Sequence, residues 1–444
     1  MKISQQAYAE RRRRLLDQLP EGGVALVAGA SLVTRNRDAE YAFRQNSDFY
    51  YLTGFNEPDA LLLLKPGRTE GEVILFCPPR DPAMEIWTGY RAGPEGCVAR
   101  FGADQAFDLT ELDAQMPKLL DGARRLYYAL GSDDALDGRV RGWLNAVRAK
   151  ARLGAEAPEE LVLLDNILHE MRLFKDDEEL EIMRTAARIS AEAHCEAMRR
   201  AVPGGFEYQL ESAILNHCMN RGARFQAYSP IVGGGENACI LHYIDNDAPL
   251  HDGDLVLIDA GCELDCYASD ITRTFPVNGR FSPEQQALYE LVLSTNEACI
   301  ELIRPGVPWN EVHELSVRLL TEGLVELGLL DGEVDDLIES GAYKEFYMHR
   351  IGHWLGMDVH DVGNYKVNGQ WRPLQPGMVM TVEPGLYVSP HNDKVEPRWR
   401  GIGIRIEDDV LVTEQGAEVL TAGVPKRVDE IETLMARSGH ATRS

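Results

Sequence analysis

Short apolar runs alternate with amphipathic stretches along the first third of the chain. Gly23-Val-Ala-Leu-Val-Ala28, Ala60-Leu-Leu-Leu-Leu64, Glu72-Val-Ile-Leu-Phe-Cys77 and Arg125-Leu-Tyr-Tyr-Ala129 predict strands. Helical patterns lie near residues 5–19, 110–120 and 135–152. The basic run Arg11–Arg14 falls on the first of these helices and is expected to form its solvated face. Few acids end the strands here, so this part reads as a non-catalytic support domain. The pattern changes between Met171 and Asp177. Lys175-Asp-Asp-Glu-Glu179 places acids in a first helical turn, where they complement the helix dipole. Leu180, Met183, Ala187 and Ile189 of that helix then turn towards a core. A second helix is expected over about 207–221. Ser282-Pro-Glu-Gln285 has the capping-box spacing, with proline at the first helical position, and opens a helix to about Leu302. Another spans roughly 310–327, and strands fall around 254–276 and 377–412. The expected class is α/β (α+β), with an N-terminal mixed α/β domain over 1–172 and a second domain over 173–444 whose strands are packed by helices.

A length of 444 residues fits two domains with a large core. The formal charge of −26 argues against nucleic acid and anionic membrane as partners. No apolar run approaches the roughly 18 residues of a membrane span. The first residues lack the apolar stretch of a secretory signal, so a cytoplasmic location is expected. In that setting the eight scattered cysteines are expected to be reduced thiols. Cys262 and Cys266 alone are closely spaced, and no second Cys/His pair accompanies them as a zinc site would need.

Acids at the ends of apolar strands change the picture. Asp254-Leu-Val-Leu-Ile-Asp259 is an apolar run closed by an acid, and the β-rich run Tyr267–Phe275 carries Asp270. A hairpin centred near 264–265 would set Asp259 across from Asp270. Directly opposed residues hold their Cβ atoms about 5 Å apart, and like charges there are unfavourable unless a cation lies between them. A solvated acidic hairpin fits less well, because Asp259 ends a strand that reads as buried. Glu383 closes an apolar run in Met380-Thr-Val-Glu-Pro-Gly385, and Glu407 closes the alternating run Ile402, Ile404, Ile406. His349, His353 and His360 cluster in sequence between Asp270 and Glu383. Burying such acids is costly unless they are paired or metal-bound.

The order of these residues resembles the pita-bread metallopeptidases. It runs Asp, Asp eleven residues later, His in Gly-His-Trp-Leu-Gly, Glu in Thr-Val-Glu-Pro-Gly and Glu in Ile-Arg-Ile-Glu-Asp. Within that group the chain looks most like the bacterial aminopeptidase P family, through Arg44–Phe55, Glu85–Gly89, His169–Lys175 and Ile231–Asn237. The resemblance implies a catalytic domain with a curved antiparallel sheet flanked by helices. It implies two divalent metal ions, usually Mn²⁺, on Asp259, Asp270, His353, Glu383 and Glu407, with Asp270 and Glu407 bridging. A water between the ions would attack the N-terminal Xaa-Pro bond, with Glu383 handling its proton. His242 and His360 would stabilise the scissile carbonyl and line the proline pocket. His349 and Arg405 would support the inner ligands and the substrate, and Trp87 would close a pocket. The implied partners are peptides with proline in second position and further copies of the chain, as a homotetramer.

Two other readings share parts of this pattern. An Xaa-Pro dipeptidase would use the same ligands. A non-catalytic peptide-binding module of the same fold would have lost them, whereas all five are present. Gly233-Gly-Gly235 lacks a P-loop ending and is expected to be a tight turn near the substrate. The basic residues that would meet the peptide beyond proline do not stand out; Arg148, Arg152 and Arg372 are candidates. His169, His194, His217, His251, His313, His391 and His440 match no site motif and are expected to be structural or exposed.

Overall fold

The computed structural model describes residues 2–436, so His440 lies outside the described residues. The chain forms two compact units, Lys2–Arg172 and the part from Leu173 onward.

The first unit is built on a six-stranded mixed sheet. In spatial order its strands are Gln105–Asp108, Val73–Cys77, Leu61–Leu64, Gly23–Ala28, Arg125–Tyr127 and Glu160–Val162. The two central pairings are antiparallel and the outer ones parallel. Val24, Leu26, Leu63, Ile74 and Phe76 pack with Met116, Leu120, Trp143 and Leu144 from the helices Leu112–Leu120 and Asp134–Arg148. The basic run of the first helix, Gln5–Gln18, is split: Arg13 and Arg14 are exposed as expected, and the other two depart from that role. Arg11 and Arg12 are buried, at 1% and 3% exposure. Arg12 donates to the Leu52 carbonyl at 2.8 Å and Arg11 to that of Tyr51 at 3.3 Å. Both therefore satisfy carbonyls at the end of the helix Ser47–Thr53. Charge alone predicted solvent; five fixed donors per guanidinium found buried acceptors instead.

The second unit opens with the helix Asp177–Arg200, started by a reciprocal cap in which Asp176 accepts from the Glu179 N–H and Glu179 from the Asp176 N–H. The helix Pro283–Leu302 uses the same device through Ser282 and Gln285. All strand pairings in this unit are antiparallel. Ile231–Gly234, Leu255–Asp259 and Thr272–Pro276 form one ladder, and Val379–Val382, Asp408–Thr413 and Gly416–Val419 another. The pair Gly385–Tyr387 and Gly403–Arg405 runs beside Thr272–Pro276, with the Arg405 and Glu407 N–H groups donating to Thr274 Oγ1 and the Thr272 carbonyl. From behind, Asn296 of the long helix donates to the Val382 and Ile406 carbonyls, tying the two acid-bearing segments to one support.

The central hairpin has a register that differs from expectation. Asp259 pairs with Thr272, and Glu263 with Ala268. The turn residues are Asp265 and Cys266, with φ of +49° and +66°, as in a two-residue type I′ turn. The centre lies one residue later than the sequence reading placed it, so Asp259 and Asp270 are diagonal neighbours on one face rather than directly opposed. Nothing in Asp-Cys announces such a turn as Asn-Gly would. Gly261 helps fix the register, because a Cβ there would lie 1.6 Å from the Ser269 carbonyl oxygen. The Gly233–Gly235 segment also differs. Gly233 and Gly234 are strand residues paired with Leu257 and Val256, and only Gly235 has positive φ.

Candidate metal centre and its pocket

The strand ends of the second unit converge on a cavity of about 750 Å³. Asp259, Asp270, His353, Glu383 and Glu407 all line it, as do His242, His349, His360 and Arg405. Ligand atoms of Asp270, His353 and Glu407 lie within 4.8 Å of one another. Asp259 and Glu383 flank that trio. Tyr228 OH reaches Asp259 Oδ1 at 2.5 Å and also contacts Asp270 Oδ1. Glu383 Oε1 and Asp270 Oδ2 lie 3.6 and 3.5 Å from His353 Nε2.

The histidine segment is strapped to the strand that carries Glu383. The Thr381 N–H donates to the His353 carbonyl at 2.9 Å, and the Glu383 N–H to that of Ile351 at 2.7 Å. Gly352 allows this approach, since a Cβ there would sit 2.0 Å from the Thr381 carbonyl oxygen. His353 Nδ1 faces the Trp354 carbonyl at 3.0 Å. Donation there leaves Nε2 as the lone-pair nitrogen aimed at the acids, the usual arrangement for a ligating imidazole.

Supporting contacts continue outward. Arg405 donates to Asp259 at 2.6 Å, to Thr272 Oγ1 at 3.1 Å and to Tyr387 OH at 2.9 Å. Thr272 Oγ1 donates in turn to Glu407 Oε2 at 2.6 Å, and Thr381 Oγ1 to Glu383 Oε1 at 3.1 Å. His349 Nε2 meets Tyr387 OH at 2.9 Å. The His353 and His360 rings stand 4.2 Å apart, edge to face. Arg405 thus holds Asp259 directly, whereas His349 reaches that network only through Tyr387 OH; both line the cavity.

Electrostatics show what this donor set lacks. Burial and then the surrounding acids raise Glu407 well above its ordinary value. Burial raises Asp270, and Asp259 adds to it. Glu383 is pushed up to about 7, mainly by burial. Burial alone would lower His353, but its hydrogen bond to Asp270 and the charge of Glu383 push it up to about 9. Burial and the Arg405 charge hold His349 down to about 4. Of the two arginines that line the cavity, Arg405 is ion-paired with one of the four carboxylates, Asp259, and Arg350 stands at the rim. Oxygen-rich ligation with one free imidazole nitrogen fits two divalent cations, and the residues suit them.

Several contributors escaped the sequence reading. Tyr228 carries no signal in Ala227-Tyr-Ser-Pro230. Tyr387 closes the motif that contains Glu383, and its spacing could have drawn notice. One wall is formed by Trp309, Tyr365 and Trp371. Trp371 comes from the hairpin of Lys366–Val367 with Gln370–Trp371, whose Asn368-Gly369 turn is the strongest short-range hairpin signal a sequence offers. Arg372, a candidate for the peptide beyond proline, is buried with Nε on the Asn364 carbonyl at 2.8 Å and does not line the cavity. Trp87 belongs to the first unit, on the helix Pro82–Thr88, and is 82% exposed. His194 and His313 are buried away from this chemistry, both held down to about 4 chiefly by burial. No disulfide joins any of the eight cysteines among the described residues. No helix among the described residues is long and apolar enough to cross a membrane.

Comparison with known proteins adds the following. Residues 181–414 match metallopeptidase family M24, and residues 8–127 match the aminopeptidase P N-terminal domain. The chain is 48% identical to the Xaa-Pro aminopeptidase of Escherichia coli, over 98% of each chain. It is 35% identical to Xaa-Pro aminopeptidase 3 of Homo sapiens, over 98% of this chain and 87% of that one. Its fold superposes on Pseudomonas aeruginosa aminopeptidase PepP with a TM-score of 0.98 at 56% identity, covering 98% and 99% of the two chains. It superposes on zinc-substituted E. coli aminopeptidase P in complex with product with a TM-score of 0.95 at 47% identity, covering 99% of each.

Proposed function

The chain belongs to metallopeptidase family M24 and carries an aminopeptidase P N-terminal domain, and from that premise we infer that it hydrolyses the N-terminal Xaa-Pro bond of peptides at a dinuclear divalent metal centre. The observation that carries this reading is the convergence of Asp259, Asp270, His353, Glu383 and Glu407 in one cavity, with Arg405 paired to Asp259. Those five residues are the proposed ligands. Bound there, two divalent cations supply Lewis-acid activation of water and of the scissile carbonyl. The ligand set suits Mn²⁺, a hard ion content with carboxylates.

The chain's own groups do the rest. Glu383, steadied by Thr381, is placed to take a proton from water and return it to the leaving proline nitrogen. His242 and His360 line the cavity as donors for the carbonyl oxygen. Burial, then the charges of His353 and His242, lower His360, which keeps it a neutral donor. Trp309 and Tyr365 offer an apolar wall to the pyrrolidine ring. That ring is what a dedicated site must read, because the bond before proline has no N–H to grip.

Residues 173–444 serve as the catalytic domain and residues 1–172 as its support. A homotetramer is proposed from Trp87, which with Ile86 and Tyr90 forms a patch exposed at 82%, 83% and 90%. A cytoplasmic location suits eight cysteines that form no disulfide among the described residues. The decisive experiment strips the metal, reloads defined ions, and compares an Xaa-Pro dipeptide with Xaa-Pro-Yaa peptides. Cleavage of the longer peptides after the first residue is expected. Cleavage of the dipeptide alone would mark a dipeptidase, and full activity without metal would overturn the reading.

A further inference from the structure

The cavity that holds the acids also has a cationic lip. Arg350 lines it, one residue beyond His349 and three before His353. Its guanidinium stands 5.5 Å from the Trp309 ring centroid and 5.3 Å from that of Trp371, two rings stacked at 6.1 Å. Asn310 Oδ1 accepts from one of its nitrogens at 2.9 Å. The side chain is exposed, and no carboxylate among the described residues pairs with it. Lys366 adds a second positive charge beside it, 4.4 Å from the Trp371 ring. In a chain of charge −26, an unpaired arginine held in position by two indoles and an amide at the edge of an acid-floored cavity calls for an anionic occupant. Asn310 engages only part of the guanidinium, so free donors remain for a carboxylate.

We propose that Arg350 binds the C-terminal carboxylate of short Xaa-Pro peptides, and so biases the enzyme towards substrates that end soon after the proline. The proposal rests on the Xaa-Pro reading above, which sends the peptide amine to the acids. The opposite end of a short peptide then leaves the cavity past the tryptophans. Anionic floor and cationic lip match the two charges of a zwitterionic peptide. Stacking on Trp309 and Trp371 keeps the guanidinium oriented, so little side-chain freedom is lost when the carboxylate arrives.

The test uses the metal-loaded enzyme with Xaa-Pro-Yaa and Xaa-Pro-Yaa-Zaa peptides, each as free acid and as C-terminal amide. At one of these lengths, kcat/KM for the acid should exceed that for the amide by about tenfold, as a charge-assisted hydrogen bond would give. The difference should lie in KM. Arg350→Met should bring the ratio close to one, Arg350→Lys should keep part of it, and Lys366→Met should leave most of it. Calorimetry of acid and amide binding to the Glu383→Gln protein reads the same preference without turnover. Equal handling of acid and amide by the parent enzyme at both lengths, or a preference untouched by Arg350→Met, would overturn the proposal. Absence of any Xaa-Pro hydrolysis would instead strike the functional reading, and the calorimetric comparison would still decide the role of Arg350.

Discussion

Glu407 and Asp408 are consecutive residues at 2% and 0% exposure, yet they enter two differently built regions. Glu407 lines the cavity, where burial and neighbouring acids raise its carboxyl well above the ordinary range. Asp408 faces a closed ion cluster, with Arg273 at 2.7 Å, Lys426 at 2.7 Å and Thr421 Oγ1 at 2.8 Å. Burial alone would raise Asp408 too, but Arg273 and Lys426 overcome it and hold the carboxyl well below the usual range. Desolvation is common to both, so the difference lies in the cations at hand. One region carries its own counter-charges. The other leaves room for ions that come from outside.

The most severe way to probe that contrast is to remove the acid chemistry from the open region. Glu383→Gln should lower turnover by about 10²–10⁴-fold, the range of general acid–base help. His353→Ala should lower metal content and rate together. Near-normal activity with normal metal content in either variant would break the assignment.

The closed region should answer in stability. Asp408→Asn leaves the buried Arg273 and the half-buried Lys426 without their carboxylate, and should cost about 3–5 kcal/mol in urea unfolding. Little change would mean that the cluster is looser than its distances suggest.

A third measurement separates the regions directly. Chelation should destabilise the protein, by about 2.7 kcal/mol if the metal had been present at a hundred times its Kd. In metal-free protein, Glu407→Gln should raise stability by removing the cost of burying an acid among other acids, while Asp408→Asn lowers it. The same sign for both variants would remove the distinction.

The smallest effect is a slope with pH in metal-free protein. Glu383 at about 7 and His353 at about 9 both lie above their unfolded values of about 4.3 and 6.5. Folded protein therefore holds more protons than unfolded between pH 6.5 and 9, and stability should fall as pH rises through that window. His194 and His313, at about 4, change the balance only below pH 6.5. Urea midpoints at pH 6.5 and 8.5 should differ in that direction, and less so in Glu383→Gln.

The open region was the more legible of the two in sequence. Its acids end apolar strands, where their cost is conspicuous, and its histidines come in one short segment. Asp408 and Arg273 offered no such cue, because their pairing spans a separation of 135 residues and depends on how two ladders meet. Helices declared themselves through the acidic first turn after Lys175 and the cap at Ser282. The hairpin register was misjudged by one residue at its centre, because Asp265-Cys266 adopts positive φ without glycine or asparagine. Arg11 and Arg12 were misjudged because composition cannot show which carbonyls a helix end leaves unpaired. Tyr228 joins two acids from a loop that no local pattern marks.

Gly352 has a consequence for how this protein can change. The separation between the histidine segment and the Glu383 strand is set by two backbones in contact at Gly352, with only the Thr381 hydroxyl bridging beside them. Substitutions that reshape the aromatic wall alter what fits beside the site. A methyl group at position 352 would instead push the imidazole away from its acids, as a spacer in a vise would. Variation in peptide preference is therefore open to Arg350, Trp309 and Trp371, while the gauge of the metal centre rests on an atom that is not there. A library built to retune this enzyme should randomise the rim and keep that glycine fixed.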